Sequence, residues 1–117
     1  MRWVRNPPYI CALDAAMDVI GGKWKALTLW ALNDRLRRFG ELRRSLPGVS
    51  EKVLAQQLRE LEADGIVRRT VFDETPPRVK YELTDEGVAL YAPLAALGEW
   101  AVRRMRDLDI VPSHGKE

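Results

Sequence analysis

Three features of the 117-residue sequence predict a mainly helical fold with one small antiparallel β-hairpin. Apolar residues recur at helical spacing along most of the chain. The period changes to two only between Gly65 and Leu83. Length and composition describe one ordinary globular domain, with 46% apolar and 31% charged residues. Residues 1–117 are therefore read as a single unit. Within it, 1–10 form an arm carrying Pro7-Pro8, 11–108 the folded body and 109–117 a tail.

Leu13, Ala16, Met17 and Ile20 place a first helix from Cys11 to the break at Gly21-Gly22. Lys23 to Leu32 forms a second helix. Trp24, Leu27, Thr28 and Ala31 lie on one side of it, with Leu29, Trp30 and Leu32 around them, and such wide apolar coverage belongs near the domain centre. A third helix over roughly 40–46 carries Leu42 and Leu46 and ends at Pro47-Gly48. Ser50 is the N-cap of a fourth helix reaching Asp64, with Gly65 just beyond its end. Strands over 66–72 and 79–83 flank the rigid loop Asp73-Glu74-Thr75-Pro76-Pro77. Thr84 caps a last helix with Asp85 and Glu86 in its first turn, favourable against the helix dipole. It runs to about residue 108, and Pro93 is expected to kink or split it. Two helices around a tight turn, followed at once by a hairpin, make a winged helix-turn-helix with a three-helix core, a wing and a long C-terminal helix. That motif presents its second helix to the DNA major groove.

Composition narrows the chemistry. One cysteine, Cys11, excludes an intrachain disulfide framework, and one histidine, His114, leaves little for metal or imidazole catalysis. No carboxylate pair, nucleophile or phosphate-binding glycine loop stands in a recognisable context, so neither an enzyme nor a cofactor is expected. No apolar run approaches a bilayer span, and the N-terminus lacks the apolar stretch of an export signal, so a cytoplasmic protein with no membrane partner is expected. Net charge is only +2 but uneven. Residues 35–80 carry eleven Arg/Lys against seven acids, and 81–101 carry four acids with no base. A solvated mixed-charge surface and a polyanion-binding face both fit that balance.

The fourth helix fits both, as a solvated amphipathic face or a binding face, and the cations on the elements beside it favour the second. Leu54, Leu58 and Leu61 share one side, while Lys52, Gln56 and Arg59 repeat the same spacing about 160° away. A cation, an amide and a guanidinium suit phosphates and purine edges, and Ser50 at the N-cap suits a phosphate. Arg43 and Arg44 precede this helix, and Arg78 and Lys80 follow it on the hairpin beside Pro76-Pro77. Base reading is assigned to Lys52, Gln56 and Arg59, and backbone clamping to Ser50, Arg43, Arg44, Arg78 and Lys80. Double-stranded DNA is the expected partner. A winged helix that docks a protein instead is the alternative, and duplex binding with a steep salt slope separates the two.

The sequence resembles the HxlR family of bacterial and archaeal transcriptional regulators, relatives of the MarR type. The resemblance rests on CALDAAMDVIGGKWK at 11–25, on RRFGELRRSLPGVSEKVLAQQLRELEADGIVRR at 37–69 and on PPRVKYELTDEG at 76–87. The family usually has proline after the N-terminal cysteine, where Ala12 stands here. The resemblance implies a homodimer that binds a pseudo-palindromic operator and represses or activates nearby genes. Its interface would use the first and last helices, here Leu13, Met17, Leu94, Leu97 and Trp100. Tyr91, Leu94, Leu97 and Trp100 also give the last helix more apolar bulk than a lone peripheral helix needs.

In some members of the family the N-terminal cysteine senses oxidants or electrophiles, and Cys11 matches it in position. Lys23 and Lys25 would activate its thiol if the fold brings them close. A small buried residue at a helix start is the competing reading. Trp24 and Trp30 are read as core, with room for a flat aromatic effector between the first two helices and the dimer helix.

Overall fold

A computed structural model describes residues 7–112 of the chain. The segments 1–6 and 113–117, with His114, most of the expected arm and the end of the expected tail, lie outside the described residues. The elements in order are α1 (Ala12–Ile20), α2 (Lys23–Leu32), β1 (Arg37–Arg38), α3 (Phe39–Ser45), α4 (Glu51–Ala63), β2 (Val67–Phe72), β3 (Arg78–Leu83) and α5 (Asp85–Asp107).

The core lies where α2, α3 and α4 meet. Leu29, Ala31 and Leu32 of α2 join Leu42 and Leu46, Val49, and Leu54, Leu58 and Leu61 of α4, closed by Ile66 and Val67. Each helix contributes the stripe that its spacing requires, and burying such side chains is the main term holding so small a domain together.

The ends of α4 show how local sequence sets that packing. Ser50 Oγ accepts the Val53 backbone N–H at 3.1 Å, filling one of the donors left open at a helix start. At the other end Gly65 takes φ 76°, a conformation that costs other residues a Cβ clash. There the Gly65 N–H donates to the Glu62 carbonyl and the Ile66 N–H to the Leu61 carbonyl, which turns the chain directly into β2.

The β region is larger than a hairpin. β2 and β3 pair antiparallel from Val67↔Leu83 to Phe72↔Arg78. β1 adds a third strand on the other side of β3, through Arg37↔Tyr81 and Arg38↔Lys80. A two-residue strand carries no readable period, which is why the sequence suggests only a lead-in to α3 there. β1 nevertheless ties the helix-turn-helix to the wing.

α5 is not split at Pro93. It is one unbroken helix of 23 residues with Pro93 inside it. Proline removes a single donor, and Pro93 and Ala89, the residue whose carbonyl loses it, both stand exposed, where water serves as the partner. The helix start is pinned by Thr84, whose hydroxyl donates to the Gly65 carbonyl at 2.6 Å and accepts from the Gly87 N–H at 3.1 Å. Gly87 is the only buried residue of α5. Half-buried Leu90, Tyr91 and Leu94 rest on the core, and the distal half runs past it. The radius of gyration is accordingly 15.4 Å, against about 13 Å for a compact domain of this length.

Candidate nucleic-acid interface

α4 is seated by Leu54, Leu58 and Leu61, all buried, and Lys52, Gln56 and Arg59 stand exposed on its outer side. Arg43 and Arg44 are exposed at the end of α3, where a shallow cavity is lined by Phe39, Gly40, Arg43, Arg44 and Glu51. Arg43 reaches Glu51 in the first turn of α4 at 3.4 Å. On the wing, Arg78 is exposed and pairs with Glu74 across the tip at 3.0 Å. Lys80 is half-buried, its ammonium 5.5 Å from the Phe72 ring centroid. Both wing cations are thus held by neighbours on the hairpin itself.

Not every cation of this basic stretch reaches the surface. Arg37 is buried: its Nε donates to the Ala31 carbonyl at 2.6 Å, and its guanidinium lies 3.4 Å from Asp34. It fastens the end of α2 to β1 and is lost to any polyanion face. Arg68 pairs with Glu82 across β2 and β3 at 3.2 Å. Glu41 accepts the Arg38 N–H at 2.8 Å and so caps α3. That bond, outweighing a smaller desolvation effect and helped by the charges of Arg38, Arg35 and Arg37, lowers its pKa below 4.5.

Lys25 is buried as well. Its side chain is 6% exposed, and its ammonium sits 2.5 Å from Glu60 Oε1 on α4. The second carboxylate oxygen of Glu60 accepts from Gln56 Nε2 at 2.6 Å. Gln56 Oε1 in turn accepts from Arg59 Nη2 at 2.7 Å. The sequence held a signal for this: Lys25, Thr28, Leu29 and Leu32 form one i, i+3, i+4, i+7 stripe, and all four are buried. Lys23 is exposed with its ammonium 4.9 Å above the Trp24 ring, so the two lysines near Cys11 in sequence have other engagements.

Cys11 is exposed and free, in extended conformation at the N-cap of α1. In the single chain Cys11 therefore does not pack into the core. α1 has no buried residue at all. Leu13 is 69% exposed and Met17 47%, while on α5 Leu97 is 62% and Trp100 51% exposed. Leu94 differs, being half-buried against the core. Trp24 and Trp30 are half-buried and line a cavity of about 310 Å³ with Lys23, Leu27, Ser45, Leu46 and Pro47. It therefore opens between α2 and the helix-turn-helix turn, whereas a second cavity of about 360 Å³ lies between α1 and α5, where Ala16, Val19, Ala89, Leu90 and Pro93 help to line it. The Trp24 ring lies against Gly48 of that turn, 3.7 Å from where a Cβ would stand.

Among the described residues no helix is long and apolar enough to cross a membrane, and no group of His, Cys, Asp and Glu could hold a metal ion.

Comparison with known proteins agrees with this architecture. The HTH-type transcriptional regulator YybR of Bacillus subtilis is 41% identical over 105 residues, covering 90% of this chain and 84% of its own. The redox regulator HypR in its oxidised form superimposes with a TM-score of 0.76 at 43% identity, over 80% of this chain and 96% of that one. Diamide-treated YodB from B. subtilis gives 0.69 at 36% identity, over 88% and 98%. The profile of HxlR-like helix-turn-helix proteins matches residues 19–109. With a three-helix core, a wing and relatives of this kind, the chain belongs to the HxlR-like helix-turn-helix family of transcriptional regulators, which are not enzymes.

Proposed function

We propose that the protein is a homodimeric, cytoplasmic repressor that reads a pseudo-palindromic operator through α4 and answers oxidants or electrophiles through Cys11. The outer face of α4 carries the reading: Lys52, Gln56 and Arg59 stand exposed opposite three leucines sealed in the core. Ser50, Arg43 and Arg44 beside the α4 N-terminus, with Arg78 and Lys80 on the wing, supply phosphate contacts that set register, while the α4 side chains read base edges.

Dimerisation is supported by the apolar side chains that one chain leaves open. Leu13, Met17, Leu97 and Trp100 form the proposed interface, with Leu94 at its inner edge. Two-fold pairing also suits a helix-turn-helix reader, whose half-sites repeat once per duplex turn.

The sensor role is supported by the exposure of Cys11 and by two structural neighbours captured in oxidised and diamide-treated forms. With diamide, the azo bond takes up two electrons and two protons to become the hydrazine. The two thiols that lose them join as a disulfide, either Cys11 to the partner's Cys11 or Cys11 to a small thiol. A flat aromatic effector has a place in the same scheme, in the cavity between α1 and α5 that Ala16, Val19, Leu90 and Pro93 help to line.

The test is a gel shift with the intergenic DNA beside the protein's own gene, with and without diamide. The expected result is a salt-sensitive shift that diamide abolishes and that Cys11→Ser makes resistant to diamide. A fragment left unshifted at low salt would overturn DNA reading in favour of a protein-docking winged helix. Unchanged diamide release from Cys11→Ser would remove the sensor.

A further inference from the structure

Gln56 is held before any DNA arrives, and the way it is held selects a base. We infer that Lys25 and Glu60 are positioning residues that set the Gln56 amide to read adenine; the inference rests on the proposed role of α4 as the reading helix. Glu60 is a carboxylate that can only accept. Its Oε1 is fixed by the Lys25 ammonium, whose side chain is 6% exposed and anchored on α2. Its Oε2 accepts from Gln56 Nε2 at 2.6 Å, which turns the NH₂ end of the amide toward Glu60. The other end of the amide is fixed by the opposite requirement, because the Arg59 guanidinium can only donate and takes Gln56 Oε1. The amide cannot flip without breaking both contacts.

What remains free defines the target. An amide NH₂ has two N–H bonds and its oxygen two lone pairs. With one of each engaged, Gln56 keeps one donor and one acceptor for a base. Adenine presents the matching pair in the major groove, the N7 acceptor beside the N6 donor. Guanine presents two acceptors there, N7 and O6, and would face the Gln56 oxygen with like polarity. Glutamine is suited to adenine in general; the anchored pair makes that preference a fixed property of this helix by denying the side chain its other settings.

The experiment selects binding sites from a random-sequence duplex pool with wild type, Gln56→Ala, Glu60→Gln and Lys25→Met, alongside nonspecific affinity, salt slope and thermal melting. Glu60→Gln keeps the shape but accepts either end of the Gln56 amide. Glu60→Gln and Lys25→Met should each lower the preference for adenine over guanine about tenfold at the one position per half-site that Gln56→Ala erases, within the discrimination expected of a bidentate contact. Other positions and the salt slope should stay as in wild type. The Gln56 side-chain NH₂ signals of the free protein should move in the same two variants, a readout that does not depend on DNA. Folded variants that keep the wild-type preference, or lose preference evenly at all positions, overturn the positioning role while Gln56 remains the reader. If Gln56→Ala itself leaves every position unchanged, the base-reading role of Gln56 fails and the inference fails with it.

Discussion

Glycine 87 is the residue whose side chain matters by its absence. A Cβ there would stand 2.3 Å from the Ile66 carbonyl oxygen and 3.2 Å from Leu83, both parts of the wing base. The first contact is with backbone and cannot relax by a rotamer change. Gly87→Ala should therefore destabilise the fold by about 1–3 kcal/mol, despite alanine's better helix propensity. A denaturant titration checks this; a variant as stable as wild type would mean that α5 can slide on the sheet. Glu41 gives the residue scale its pH dependence. Its pKa lies below 4.5 in the folded protein because the Arg38 N–H and nearby arginines favour the ionised form. The unfolded chain thus binds the proton more readily, so the stabilisation is complete above pH 4.5 and is lost as pH falls through the folded value. Glu41→Gln should be less stable than wild type at neutral pH, and the gap should close on acidification, as followed by parallel melts between neutral and acid pH.

At the scale of elements, the wing makes a separable contribution. Arg78 sits at the start of β3, paired with Glu74 across the tip, so a phosphate must compete with an acid already in place. Arg78→Ala should weaken binding to all sequences alike and lower the salt slope by about one per subunit. Fluorescence anisotropy at several salt concentrations measures both, and a change in sequence preference would instead make Arg78 a reader. The elements were also where the sequence was most and least legible. α4 could be read to within a residue at both ends, because Ser50 and Gly65 mark its caps and three leucines mark its inner face. β1 could not, since Arg37 and Arg38 pair with β3 through backbone groups that every residue type carries. Pro93 suggested a split that does not occur, because proline reports a lost hydrogen bond but not whether solvent replaces it. The basic face was legible in its exposed members. Arg37 and Lys25 escaped because charge argues for the surface, and only an acceptor brought from another element, the Ala31 carbonyl or Glu60, makes burial affordable.

At the scale of the molecule, the half of α5 beyond the core leaves apolar side chains uncovered. Leu97 and Trp100 share one side of it, and α1 exposes Leu13 and Met17 without burying any residue of its own. In the proposed dimer Trp100→Ala should cost about 2 kcal/mol per subunit, the loss typical of a large aromatic at an interface centre. Leu97→Asp, which places a charge on the same face, should leave a folded monomer. Light scattering on the eluting protein reports the mass and circular dichroism the fold. A Leu97→Asp protein still running as a dimer would move the interface elsewhere.

That overhang has a consequence for dosage. If subunits part when dilute, the species able to span two half-sites grows with the square of chain concentration, so doubling synthesis raises it about fourfold in that regime. A gene whose product shuts off its own promoter would then answer small surpluses steeply, with the threshold written into the sticky end of one helix.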